Sequence, residues 1–276
     1  MDKALKNEKV IKNPDIYNRL GNVACSENDY SKAIEYYDLA ISLAPKNATI
    51  WSNKGYALSQ LGRHDTAMNC FNEALEIDPN NISALNNMGC AFGDKNETNE
   101  AMKCFDKALK SNPNAIYPLV NKGILLDKIG KYKKAIEIFD KAMELMPDSV
   151  LLFVYKGKTL GRMKKYYEAI RWFDRAIELA PDFDLAWVNK GVALSHLGEH
   201  LIAIVSYDEG LELNPDNFDA WFSKGCSLTE LEKFEDALIC FKRAKKLIPR
   251  GVKPPDFLLY HIGDILEKIE KNKKKK

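Results

Sequence analysis

Side chains able to do acid–base, nucleophilic or metal chemistry are few in this sequence, and their spacing does not suit it. None of the four histidines, His64, His196, His200 and His261, has a cysteine or aspartate recurring beside it at ligand spacing. A zinc site needs several such donors converging on one point, so no metal is expected. The six cysteines, Cys25, Cys70, Cys90, Cys104, Cys226 and Cys240, contain no C-x-x-C pair. No G-x-S-x-G is present, and no glycine-rich loop follows a strand. No catalytic residue and no cofactor is therefore expected. The residue that does recur at fixed spacing is asparagine: Asn53, Asn87 and Asn121 lie 34 residues apart, and Asn189 lies two intervals further on. An amide both donates and accepts, so a row of amides can hold a peptide backbone without reading its side chains. That is binding chemistry.

The same interval runs through the whole chain. Prolines fall at Pro45, Pro79, Pro113, Pro147, Pro181, Pro215 and Pro249. Counting back from them gives seven units of 34 residues: 14–47, 48–81, 82–115, 116–149, 150–183, 184–217 and 218–251. The eighth place is always glycine, from Gly21 to Gly225; the twentieth is always alanine, from Ala33 to Ala237. The twenty-fourth is always aromatic: Tyr37, Phe71, Phe105, Phe139, Phe173, Tyr207 and Phe241. Cys70, Cys104 and Cys240 share one column, which reads as a slot for a small buried residue.

Each unit reads as two helices. Trp51, Gly55 and Leu58 lie on one face at helical spacing; a turn follows; Ala67, Phe71 and Ala74 form the facing stripe, and Pro79 stops the second helix. A glycine inside a helix costs about 1 kcal/mol against alanine. Seven of them are tolerable only if the missing Cβ lets paired helices approach closely and bury more surface.

These columns resemble the tetratricopeptide repeat, and the segment Trp187-Val-Asn-Lys-Gly-Val-Ala-Leu194 is similar to its prokaryotic and archaeal branch. The resemblance implies an all-α fold, a right-handed α-solenoid of seven helical hairpins whose first helices line a concave groove. Departures are Ala24 at an eleventh place, Thr98 in the third turn, and Gly210 where the twenty-seventh place has alanine. The third unit, with Asn96-Glu97-Thr98 in its turn, is expected to be the weakest. Such an array needs a cap at its end. After Pro254-Pro255, a capping helix is expected at about 256–271, with Leu258, Leu259, Ile262, Ile265, Leu266 and Ile269 along one face. That cap segment (252–271) leaves a lead-in at 1–13 and a basic tail at 272–276.

Function should be written on groove-facing places of the first helices. The asparagines at the sixth place resemble the family's amide ladder for extended peptides. Around them the wall is small and polar in units one to three (Asn18, Asn22, Ser52, Tyr56, Ser83, Asn86), and apolar further on. Its apolar candidates are Tyr117, Val120, Ile124, Leu151, Val154, Tyr155, Leu185, Val188, Val192 and Phe222, flanked by Lys128, Lys158, Arg162 and His196. Tyr155 is the expected central anchor. The family's clamp for a terminal carboxylate is matched only at Asn22 and Asn53, because Asn18, Ser83 and Asn87 replace its cations. Lysines at the seventh place (Lys54, Lys122, Lys156, Lys190, Lys224) and aspartates at the twenty-fifth (Asp106, Asp140, Asp174, Asp208) suggest a structural ion-pair ladder.

The composition fits a folded binding module. Net charge is +2, against a dedicated nucleic-acid binder. Only the stretch from Lys242 to Lys276 is strongly basic, with 12 cations against 4 carboxylates. No apolar run approaches a membrane span, and no secretory leader opens the sequence, so a cytoplasmic location is expected. The Asn-x-Ser/Thr triplets at Asn47, Asn81 and Asn96 are accordingly read as chance. The leading expectation is a non-enzymatic adaptor or scaffold holding a peptide or helix of a partner protein, chiefly in repeats four to seven. The alternatives are an RNA- or ribosome-associated factor using the basic end, and a module whose own N-terminal segment or cap fills the groove.

Overall fold

The computed structural model describes residues 13–274, with side chains through residue 272. Among them are fifteen helices and no strand: α1 (Pro14–Ser26), α2 (Tyr30–Leu43), α3 (Ala48–Gln60), α4 (His64–Ile77), α5 (Ile82–Asp94), α6 (Thr98–Ser111), α7 (Ile116–Lys128), α8 (Tyr132–Leu145), α9 (Val150–Arg162), α10 (Tyr166–Leu179), α11 (Asp184–His196), α12 (His200–Leu213), α13 (Phe218–Glu230), α14 (Phe234–Lys246) and α15 (Asp256–Lys274). The expected lead-in, and with it the idea that it fills the groove, lies outside the described residues except for Asn13.

Local chemistry sets the boundaries. Asn13, Asn47, Asn81 and Asn217 cap first helices, their side chains accepting from backbone N–H groups of the first turn, as from Ala84 N to Asn81 at 3.0 Å. Asn47 and Asn81, which open two of the Asn-x-Ser/Thr triplets, thus act as helix caps. Inside each hairpin the fifteenth place is left-handed: Asn28, Gly62, Asn96, Gly130, Lys164, Gly198 and Glu232 have φ between 58° and 82°. The third turn, expected to be weak, closes like the others, with Glu97 N bonded to Phe92 O at 2.8 Å.

The glycine column does what the sequence suggests. A Cβ on Gly21 would stand 2.4 Å from Tyr37 Cε1, and one on Gly157 2.5 Å from Phe173 Cε1; Gly55, Gly89, Gly191 and Gly225 meet their own aromatics in the same way. These rings are buried, as are the alanines of the twentieth place.

The chain divides into two compact units, Met1–Ile129 and Gly130–Lys276. The first contains α1–α7 and the second α8–α15; each is an α-solenoid of stacked helices. In the first, α1 packs on α3, α3 on α5 and α5 on α7; in the second, α9 packs on α11 and α11 on α13. Within each unit, among the described residues, no comparable contact joins consecutive second helices, so the first helices form the inner layer. Neighbouring repeats are tied by ion pairs, Lys54 to Asp38 and Lys122 to Asp106 (2.6 Å each) in one unit, and Lys156 to Asp140, Lys190 to Asp174 and Lys224 to Asp208 in the other. Lys54, Lys190 and Lys224 lie over the tryptophans of their own helices, Trp51, Trp187 and Trp221, and Lys156 lies over Trp172 of α10. Indole N–H groups of Trp51, Trp187 and Trp221 donate to the carbonyls of Pro45, Pro181 and Pro215.

The cap differs from expectation in two respects. Helix α15 runs to Lys274, into the segment expected to be a tail. Leu258, Ile265 and Ile269 are buried against Phe234, Ala237 and Phe241, but Leu259 and Leu266, expected on the same face, are 36% and 44% exposed.

Candidate peptide-binding wall

In the first unit the amide row engages itself. Asn53 Nδ2 donates to Asn18 Oδ1 at 3.0 Å and lies 3.2 Å from Asn22 Oδ1, which also accepts from the Tyr37 hydroxyl at 2.8 Å. Asn121 Nδ2 donates to Asn86 Oδ1 at 2.9 Å, and Asn86 donates to Asn87 at 3.2 Å. A sixth-place amide therefore bridges to the preceding first helix wherever that helix has asparagine at its fifth place. Both amide N–H groups of Asn53 and one of Asn121 are thus engaged between neighbouring first helices. In the second unit the fifth place before Asn189 is Val154, which offers no acceptor; Asn189 turns back to Leu185 O at 2.6 Å.

The apolar candidates separate into three groups. Val154 and Val188 are 3% and 5% exposed and belong to hydrophobic clusters with Phe173 and Tyr207 respectively. The expectation that they stand open on the wall is corrected: the close approach of consecutive first helices covers the fifth place. Phe222 is likewise engaged, its ring 5.0 Å from Phe257, 5.3 Å from His261 and 5.6 Å from Phe241. Tyr155 is half-buried with its ring stacked on Phe139 (5.9 Å, 17°), a packing role not foreseen for the anchor. Val120, Ile124 and Val192 are half-buried. Tyr117, Leu151 and Leu185, at the second place, are 75%, 50% and 43% exposed.

Openings form between consecutive first helices. In the second unit, Gly157, Gly161, Val192 and Ala193 floor a pocket of about 240 Å³, with Lys158, Arg162, Asn189 and His196 around it. His196 is held by stacking on Tyr166 (4.9 Å, 11°). In the first unit, Gly89, Gly93 and Ile124 floor a smaller pocket of about 170 Å³ in the same repeat register, where Lys128 Nζ donates to Gly93 O at 3.0 Å. A wider one, about 420 Å³, is lined by Asn53, Tyr56, Ser83, Asn86, Asn87 and Tyr117. Gly93 and Gly161 are residues the sequence reading missed. Their signal was available, since the twelfth place is glycine only in the third and fifth repeats.

Burial pushes the thiols of Cys90, Cys226 and Cys240 up to about 11, away from the thiolate a nucleophile needs. Among the described residues no three His, Cys, Asp or Glu side chains gather to hold a metal, and no helix is long and apolar enough to cross a membrane.

Models of the tetratricopeptide repeat match residues 14–47, 48–81 and 82–115, residues 117–149, 155–183 and 185–217, and residues 206–239. Curated protein sequences give no match. Among solved structures, a tetratricopeptide repeat protein from Parabacteroides merdae is similar at 18% identity and TM-score 0.70, over 92% of this chain and 98% of that one. The Cut9–Hcn1 hetero-tetramer of the APC/C is similar at 17% identity and TM-score 0.76; 91% of this chain aligns, spanning 49% of the neighbour. PilF of Pseudomonas aeruginosa is similar at 21% identity and TM-score 0.66, over 80% and 97%. At these identities the likeness is one of fold.

Proposed function

Because the chain belongs to the tetratricopeptide repeat family, whose repeats build protein-interaction scaffolds, we propose that it is a non-enzymatic adaptor that holds a peptide or helical segment of a partner protein against its first helices. The observation that carries this reading is the pocket between α9 and α11. Gly157, Gly161 and Val192 make an apolar floor for one side chain, and Lys158 and His196 stand beside it. Leu151 and Leu185 add exposed apolar surface from the same two helices. Such a combination takes an apolar anchor with a carboxylate near it, since binding energy concentrates in a few buried anchors and charge fixes orientation.

Affinity capture from the source cell tests it, comparing the wild-type chain with the variant Gly161→Leu/Leu185→Ser, each with a thermal melt. Gly161 has open space around it and Leu185 is exposed, so the variant should melt as the wild type does. Its partner should be lost. Equal recovery of the same partner by the folded variant would sink the proposal.

A further inference from the structure

The burial pattern of α15 matches that of a first helix. Taking Asp256 as its first place puts Leu258 and Ile265 at the third and tenth places, which bury against the preceding repeat in α3 and α11; both are fully buried here. Leu259, Gly263 and Leu266 then fall at the fourth, eighth and eleventh places, the face whose glycine meets the second helix in six of the hairpins. A Cβ on the eighth-place glycine would stand within 2.7 Å of an aromatic ring in α1, α3, α5, α9, α11 and α13, whereas on Gly263 it meets nothing within 4 Å among the described residues. A glycine in mid-helix with no close neighbour is a cost without a return, and the leucines on either side of it are exposed.

We propose that this face of α15 is a docking site for one amphipathic helix of a partner protein, of the form Ala-x-x-x-Phe/Tyr-x-x-Ala with cations near both ends. The hydrophobic part follows from continuity with the hairpin interface: the eighth-place glycine receives the twenty-fourth-place ring, and small residues on either side let the helices close. The cations follow from charge. Asp256, Glu267 and Glu270 lie on the same arc as Gly263 at 100° per residue, and all three are exposed. Lys253 and Lys271 pair with Asp256 and Glu267 at 2.8 and 2.6 Å, while Glu270 has no ion pair among the described residues. In the antiparallel register of the hairpins, Glu270 faces the start of the incoming helix and Asp256 its last turn.

The chain's own seventh second helix has this character, with Ala237, Phe241 and Ala244 on its stripe, Lys233 before it and Lys245 and Lys246 in its last turn. A stapled, fluorescein-labelled peptide of residues 233–247 is therefore a usable probe, titrated with the full chain by fluorescence anisotropy. Saturable binding is expected, weakened at least tenfold by Phe241→Ala in the peptide and by Gly263→Leu in the protein. Gly263→Leu should melt no lower than wild type; Leu266→Asp gives an independent block of the same face. Absent binding, or binding indifferent to both protein variants, overturns the proposal. So does a concentration-dependent dimer of the chain alone that Gly263→Leu dissociates in sedimentation, because the face would then belong to a second copy.

Discussion

Gly210 and Val188 fit one another across α12 and α11: a Cβ on Gly210 would lie 2.7 Å from Val188 Cγ2 and 3.4 Å from the Asp184 carbonyl. In the sixth repeat the valine's methyl group occupies the space that the usual alanine methyl would take, whereas the fifth repeat keeps Ala176 beside its own buried Val154. A β-branched side chain in a helix is held to one rotamer and cannot swing aside. Gly210→Ala should therefore destabilise the second unit by about 1–3 kcal/mol through overpacking, despite the gain in helix propensity. In a Val188→Ala background the same change should stabilise, by up to about 1 kcal/mol. Urea unfolding of the four-member cycle measures this, and additive effects would refute the coupling.

Lys164 and Glu232 hold φ of 61° and 58° at the place where three other repeats use glycine. A side chain there is strained by roughly 1–2 kcal/mol, partly offset by the greater freedom of glycine in the unfolded chain. Lys164→Gly and Glu232→Gly should each raise stability by about 0.5–1 kcal/mol, read as a higher urea midpoint at unchanged slope. Gly198→Ala should lower it, although nothing lies within 4 Å of the new methyl.

Gly157 and Gly161 share α9 but should respond oppositely to alanine. At Gly157 the Cβ would meet Phe173 at 2.5 Å; at Gly161 it meets nothing within 4 Å. Gly157→Ala should cost about 1–3 kcal/mol, while Gly161→Ala should be neutral or mildly stabilising. Equal melting temperatures for the two variants would show that the glycine at the hairpin crossing is dispensable.

Tyr207 predicts sensitivity to alkali. Its ring is fully buried, and burial pushes the phenol up to about 12, only partly opposed by its hydrogen bond to Ser195 at 3.1 Å. Tyr37, in the first unit, is raised in the same direction, chiefly by burial. In the unfolded chain both phenols lose their protons near pH 10. The folded chain then binds more protons than the unfolded one, so stability is intact below pH 10 and falls as pH rises toward 12. The slope reaches at most about 1.4 kcal/mol per pH unit for each tyrosine. Tyr207→Phe should flatten this slope for the second unit; an unchanged slope would show that Tyr207 does not titrate as its burial implies.

The repeat register, the paired helices and the packing use of six of the eighth-place glycines were legible in the sequence, because each depends on contacts within one 34-residue repeat. A glycine opposite an aromatic is a local complement, and repetition separates it from accident. The Lys–Asp ladder joins neighbouring repeats and was legible because both of its columns recur in register.

The groove was less legible, because which first-helix places remain open depends on how closely neighbouring repeats stack. A helical wheel puts Val154 and Val188 on the same arc as Leu151 and Leu185, yet only the leucines stay exposed, as adjacent first helices close over the fifth place. Likewise, asparagine composition could not reveal that Asn53 and Asn121 each donate to an asparagine of the preceding first helix, Asn18 and Asn86. The face of α15 was misjudged by counting apolar residues: six seemed to form one stripe, but Leu258 and Ile265 pack inward while Leu259 and Leu266 point outward. Recurring columns were enough to read the contacts inside a repeat and the Lys–Asp pairs between repeats; which other first-helix places are buried was decided by the tertiary structure, because that burial depends on the approach of a second backbone.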